Sequence, residues 1–281
     1  MLQSMSFVQY SRKGKEHVTY PGGKSGAGVF QTIINLMPPH DIYVEPFLGG
    51  GAVMRLKRPA AVNVGVDRDR AALESVVLPL PAVAAATGRP SEAHLLDIWA
   101  WRRSSVPEWG PSLLDPIAIP AGGGPAFELR VGDGIEFLRV LELPSSALVY
   151  CDPPYLRSTR ATRKDLYQFE MTDAQHLELL SVIKTLKCRV MISGYSSTLY
   201  ARELKTWNAC AFQAATRGKP AAEWVWCNYP RPVELHDYRY LGSNYREREQ
   251  IKRMKARWIG KLERMPALKR QALLAAIAAT G

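Results

Sequence analysis

The sequence predicts an α/β protein built on an open sheet with a largely parallel core. Two observations carry this. Short β-type runs alternate with stretches of helical period. Acidic and glycine-rich motifs then recur at the carboxyl ends of those runs, where ligands sit in such sheets. A chain of 281 residues is long enough for one large domain carrying an inserted element.

The elements follow in order. Residues 42–44 read as a buried strand entering Gly49-Gly50-Gly51, and 62–66 as a second ending at Asp67. Residues 127–131 form a third, ending near Asp133, and 147–151 a fourth, running into Asp152-Pro153-Pro154-Tyr155. Residues 189–193 and 223–228 give a fifth and a sixth. Between them, Leu179, Val182, Ile183 and Leu186 mark a helix over 173–186 by their 3.6-residue period, with His176 on its exposed side. The rhythm breaks over 74–125, a stretch with eight prolines, Gly122-Gly123-Gly124 and Trp99, Trp101 and Trp109. Its aromatics suit a small inserted subdomain better than a long loop; a packing lid is the alternative. From about residue 240 a basic tail follows. Ile251, Met254, Trp258, Leu262 and Met265 trace one apolar helix face, expected to dock on the domain.

Composition narrows the function. Hydrophobic residues make 47% and charged residues 22%, which excludes a wholly disordered chain. No apolar run reaches the roughly 18 residues of a membrane helix, and no basic segment followed by an apolar core opens the sequence. Cys151, Cys188, Cys210 and Cys227 form no Cys-x-x-Cys pair, and the five histidines show no metal spacing. A reducing, cytoplasmic setting without a membrane or metal partner is expected. The net charge of +11 asks for a polyanion. Residues 240–281 hold ten Lys/Arg against three Glu, an excess of +7 that is most of the total.

Three motifs carry chemistry. The first is Asp152-Pro153-Pro154-Tyr155 at a strand end. The exocyclic amine of a nucleobase is a poor nucleophile, because its lone pair is delocalised into the ring. Two acceptors on its N–H groups, the Asp152 carboxylate and the Pro153 carbonyl, localise that pair. The paired prolines stiffen the backbone that aims the carbonyl. Tyr155 offers a flat face for a base drawn out of a duplex. The second motif is Glu45-Pro46-Phe47-Leu48-Gly49-Gly50-Gly51, with Asp67 about twenty residues on as an acceptor for ribose hydroxyls. A helix cap is the alternative for Asp67. The third, Tyr20-Pro21-Gly22-Gly23-Lys24-Ser25, fails as a phosphate-binding P-loop, because Val18 stands where a glycine is required.

These pieces in this order resemble the Dam-type DNA N6-adenine methyltransferase family in its alpha arrangement, over about residues 15–230. The resemblance implies a Rossmann-like S-adenosylmethionine-dependent methyltransferase fold. The catalytic domain would comprise 15–73 and 126–235. A small, mainly helical or irregular target-recognition subdomain would be inserted at 74–125, and 240–281 would be a basic helical tail. It implies Asp152, Pro153, Pro154 and Tyr155 as the catalytic set, with S-adenosyl-L-methionine as cofactor. Tyr20, Gly23, Lys24, Glu45, Pro46, Phe47, Gly49, Gly51, Asp67, Asp133 and Asp152 would hold the cofactor. Lys24 would meet its carboxylate or a neighbouring acid, and Asp133 would help to hold its adenine. The family pattern also runs through Met191 to Tyr195 and Glu223 to Tyr229.

The partner implied is double-stranded DNA, the expected location the cytoplasm at the nucleoid, and the expected state a monomer or weak dimer, with a cognate restriction enzyme as a candidate companion. Arg157, Arg160, Arg163 and Lys164, beside Tyr167 and Phe169, form a basic loop suited to clamping phosphates next to a flipped base. A solvated loop is the alternative. Two other functions remain open: N4-cytosine methylation, which poses the same chemical problem, and a DNA-binding relative that has lost catalysis. The insertion lacks an Asn-Gly hairpin signal, so no recognition sequence is inferred.

Overall fold

The computed structural model of the protein describes residues 23–76, 78, 125–160, 164–214 and 221–279. Seven strands form one sheet: β1 (Ile42–Glu45), β2 (Val62–Asp67), β3 (Ala126–Val131), β4 (Ala147–Cys151), β5 (Arg189–Tyr195), β6 (Asn208–Ala214) and β7 (Ala221–Cys227). Their order is β3-β2-β1-β4-β5-β7-β6. The first five are parallel, while β7 pairs antiparallel with β5 and β6 antiparallel with β7. This is the Rossmann-like α/β sheet expected. The helices are α1 (Val29–Ile34), α2 (Ala52–Leu56), α3 (Arg70–Glu74), α4 (Gly134–Val140), α5 (Asp173–Thr185), α6 (Thr198–Glu203), α7 (Tyr245–Glu263) and α8 (Ala267–Ala278), with a 3₁₀ turn at Arg157–Thr159.

The central strands are buried and mostly apolar because both faces of the sheet are covered. In β4, Ala147, Val149 and Cys151 join one core with Phe137 and Leu138 of α4 and Leu179 and Ile183 of α5. Leu148 and Tyr150 join the other, with Ile33 and Ile34 of α1 and Val53 and Met54 of α2. A polar clasp sits at the start of β2. Asn63 donates to the Ala60 and Ala126 carbonyls and accepts from Ala60 N and Lys57 Nζ, so its buried amide is fully satisfied.

Three expectations are corrected. The strand β6 was not anticipated: its residues alternate in exposure at the sheet edge and give no continuous apolar run. His176 is fully buried, its Nδ1 3.0 Å from the Tyr200 hydroxyl, because α5 packs against α6 on that side. The tail does not dock through its apolar stripe. No residue of α7 or α8 is buried, and Met254 and Trp258 are 42% and 56% exposed. The helix instead meets the body at a polar edge, where Lys255 Nζ donates to the Tyr238 carbonyl (2.6 Å). Of the predicted 74–125 insertion, all but residues 74–76, 78 and 125 lies outside the described residues.

Candidate active site at the switch point of the sheet

Between β1 and β4 the strand order reverses, and at such a point the helices on either side part to leave a crevice beyond the carboxyl ends. A cavity of about 270 Å³ lies there. Of the predicted site residues, Gly23, Lys24, Pro46, Phe47, Gly49, Gly51, Asp67, Asp133, Asp152, Pro153 and Pro154 line it. Glu45 and Tyr155 are buried behind the lining, and Tyr20 lies outside the described residues.

One half of the cavity is built by the loop after β1. Gly49 and Gly51 have φ of 50° and 60°, a region where a side chain would be strained. The loop is held by Asp67 at the end of β2, whose Oδ2 accepts from Gly49 N (2.7 Å) and whose Oδ1 accepts from Asp69 N (2.9 Å). Burial pushes the Asp67 carboxyl up from its ordinary value, and its remaining lone pairs can still accept. The capping alternative for Asp67 falls to Asp69, which accepts from Ala71 N and Ala72 N at the start of α3. Asp133 caps α4 through Ile135 N (2.8 Å) and pairs with Arg68. The next residue must be glycine: a Cβ at Gly134 would collide with the Pro46 carbonyl.

The other half is a cluster of charge. Lys24 Nζ lies 3.0 Å from Asp152 Oδ1 and 3.5 Å from Glu223 Oε2. The Tyr155 hydroxyl donates to Glu223 Oε2 (3.0 Å). The Lys24 ammonium stands 4.7 Å from the centroid of the Tyr155 ring, and Tyr195 meets that ring edge-on. Lys24, Glu223 and Tyr155 are buried, whereas the Asp152 side chain keeps 17% exposure on the cavity side. Burial, against the opposing pull of Lys24 and with the push of Glu223, raises the Asp152 carboxyl to about 6. Burial would lower the Lys24 ammonium, but Asp152 and Glu223 hold it above its ordinary value. Behind them burial lifts Glu45 to about 8, while the Tyr43 hydroxyl donates to its carboxylate (2.9 Å).

The arrangement offers a carboxylate acceptor open to the cavity, braced by a cation and a second carboxylate. Glu223 was not singled out from sequence. The available signal was a lone acid in the otherwise apolar run Ala222 to Cys227, and the antiparallel pairing of β7 with β5 sets it opposite Tyr195 at the carboxyl end of the parallel strands. The stacking face expected of Tyr155 is covered by Lys24, and the aromatic side chains reaching the cavity are Phe47, Tyr167 and Phe169.

The basic loop also departs from expectation. Arg160 is turned inward, its side chain 4% exposed, with both terminal nitrogens 2.7 Å from the Glu170 carboxylate and one on the Tyr155 carbonyl. It braces the loop against the Asp152–Tyr155 turn and leaves no donor facing a phosphate. Burial would raise Glu170, but Arg160 and the N–H groups of Leu166 and Tyr167 hold it down at about 2. Arg157 is half exposed and pairs with Asp165, Lys164 is exposed, and Arg163 lies outside the described residues.

Residues 135–210 match the family described as D12 class N6 adenine-specific DNA methyltransferase. The segment holds α4 through the first residues of β6, and with them the Asp-Pro-Pro-Tyr turn. No curated protein matches the whole sequence significantly. Similar solved structures include an rRNA methylase from Streptococcus thermophilus, 12% identical, covering 70% of this chain and 93% of that one at a TM-score of 0.37. Magnesium protoporphyrin IX methyltransferase from Synechocystis PCC 6803 is 11% identical, with 72% and 76% covered and a TM-score of 0.36. M. capricolum TrmK is 9% identical, with 89% and 93% covered and a TM-score of 0.35.

Proposed function

We propose that this protein is a methyltransferase of the D12 class, transferring a methyl group from S-adenosyl-L-methionine to N6 of adenine in double-stranded DNA and acting on a base flipped out of the helix. The observation that carries the reading is Asp152 of the Asp-Pro-Pro-Tyr turn. It is the one carboxylate of the charged cluster open to the cavity, across from the nucleoside-type half built on Asp67.

The cavity fits the cofactor. Positive-φ glycines let the backbone approach a ligand, Asp67 retains acceptor capacity for ribose hydroxyls, and Phe47 and Ile135 offer apolar surface. When bound, the sulfonium compound supplies an activated methyl group; the new N–C bond forms as the C–S bond breaks. The chain's own part is orientation and hydrogen bonding. Asp152 and the Pro153 carbonyl accept the two N6–H groups and turn the nitrogen lone pair toward the methyl carbon. Lys24 and Glu223 fix the Asp152 carboxylate, and Tyr155, tied to Glu223, fixes the turn. A carboxyl titrating near 6 is largely ionised at neutral pH and able to take the proton that N6 releases. Asp133, through its cap on α4, sets the far wall where the cofactor adenine would rest. Arg157 and Lys164 remain candidates for phosphate contact.

The test is incubation with labelled S-adenosylmethionine and mixed-sequence duplex DNA, followed by nucleoside analysis. N6-methyldeoxyadenosine is expected, and its loss in Asp152→Ala with DNA binding largely retained. N4-methyldeoxycytidine would overturn the base assignment, and turnover persisting in Asp152→Ala would overturn the role of Asp152.

A further inference from the structure

The tail carries a pattern that the catalytic site does not use. At 3.6 residues per turn, Arg246, Arg253, Arg257, Lys261 and Arg264 of α7 and its C-cap fall within an arc of about 80°. Glu247, Glu249 and Glu263 all lie outside that arc. All five cations are exposed, and among the described residues none is paired with a carboxylate. The row spans about 27 Å at 1.5 Å per residue. A merely soluble helix intersperses its acids among its bases; here the acids are kept off one side. No residue of the helix is buried, so the row is presented clear of the body.

We infer that α7 is a nucleic-acid backbone grip, its five-cation row running along the phosphates of one DNA strand. Charge complementarity selects this occupant: a +7 tail repels a second copy of itself and attracts a polyanion. Along the same ~27 Å, one strand of duplex offers about eight phosphates at ~3.4 Å each, enough to meet every cation of the row. The choice of DNA as the polyanion rests on the function proposed above; the grip itself rests on the row.

The experiment compares the full-length protein with Arg253→Gln/Arg257→Gln/Lys261→Gln and with a control of equal charge loss off the row, Lys187→Gln/Lys205→Gln/Lys252→Gln. Binding to fluorescent duplex DNA and to duplex RNA is measured across a salt series, alongside sedimentation mass, helix content by circular dichroism and methyl transfer at saturating DNA. The row variant is expected to keep its helix content and saturated methylation rate. Its dependence of log K on log salt should flatten by about 2.7, near 0.9 per lost phosphate contact, while the control stays near wild type. An unchanged slope, equal flattening in the control, a change confined to RNA, or a change in mass without a change in slope would each overturn the grip on DNA. A wild-type protein that binds DNA through the row yet methylates none would refute the proposed function and leave the grip standing.

Discussion

Replacing Glu223 by Gln tests the electrostatics of the site at one atom pair. The change keeps the volume and an oxygen to accept the Tyr155 hydroxyl, but removes a negative charge beside Asp152. The carboxylate oxygens of Asp152 and Glu223, 3.0 and 3.5 Å from one ammonium, lie within about 6.5 Å of each other. At an effective dielectric near 20, like charges at that distance repel by about 2.5 kcal/mol, close to two pKa units. Glu223 is among the groups that raise Asp152, so its loss should lower the Asp152 pKa from about 6 by one to two units. A carboxylate that must be ionised to accept N6–H fails as pH drops through its pKa. The acid limb of the single-turnover methylation rate should therefore sit near pH 6 in the wild type and near pH 4 to 5 in Glu223→Gln, with DNA and cofactor saturating. An acid limb that stays in place while the variant remains active would refute Asp152 as the titrating acceptor. Glu223→Ala should behave differently, because it strands the buried Tyr155 hydroxyl, at about 1–3 kcal/mol, and lowers the rate at every pH.

Other outcomes follow from the same geometry. Leu179→Ala, in the core between α5 and the sheet, should cost about 2–5 kcal/mol in urea unfolding. Asp67→Ala should weaken S-adenosylmethionine binding by about ten- to hundred-fold in calorimetry, the worth of a charged hydrogen bond. Glu170→Gln should narrow its stability deficit as pH falls. The folded Glu170 carboxyl sits below its ordinary value, so its contribution is full above about pH 5 and is lost as pH drops toward 2. Urea midpoints of the two proteins across that window should converge; a constant gap would mean that the Arg160 pairing does not hold the loop.

The sheet was legible because its central strands are buried on both faces, so that Ala147 to Cys151 and Val62 to Val66 stand out as apolar runs ending in acids. β6 was not, since an edge strand with one solvated face and Asn208, Cys210 and Gln213 along it has no such contrast. In the site, the ends of β1, β2 and β4 were readable from motif order, but Glu223 reaches Asp152 only through the antiparallel return of β7, which no local spacing encodes. Arg160 misled for the opposite reason. Its neighbours Arg157, Arg163 and Lys164 suggest a common solvent-facing role, whereas Glu170, ten residues on, draws it inside. His176 was expected on the solvent side, yet it lies three residues before Leu179 and seven before Ile183 on the apolar face, where α6 covers it with the Tyr200 hydroxyl.

The contact of Gly134 with the Pro46 carbonyl has a bearing on how the enzyme can vary. Backbone touches backbone there, with no side chain between to swell or shrink. The spacing between the cofactor-side loop and the head of α4 is thus set by covalent dimensions, which are common to every sequence that keeps a glycine at 134. Core substitutions can change how long the fold survives while leaving that aperture at the same calibre. Diversification is thereby steered toward described parts that do not share the backbone contact, such as the loop around Arg157 and the tail helices, which can change without altering that spacing.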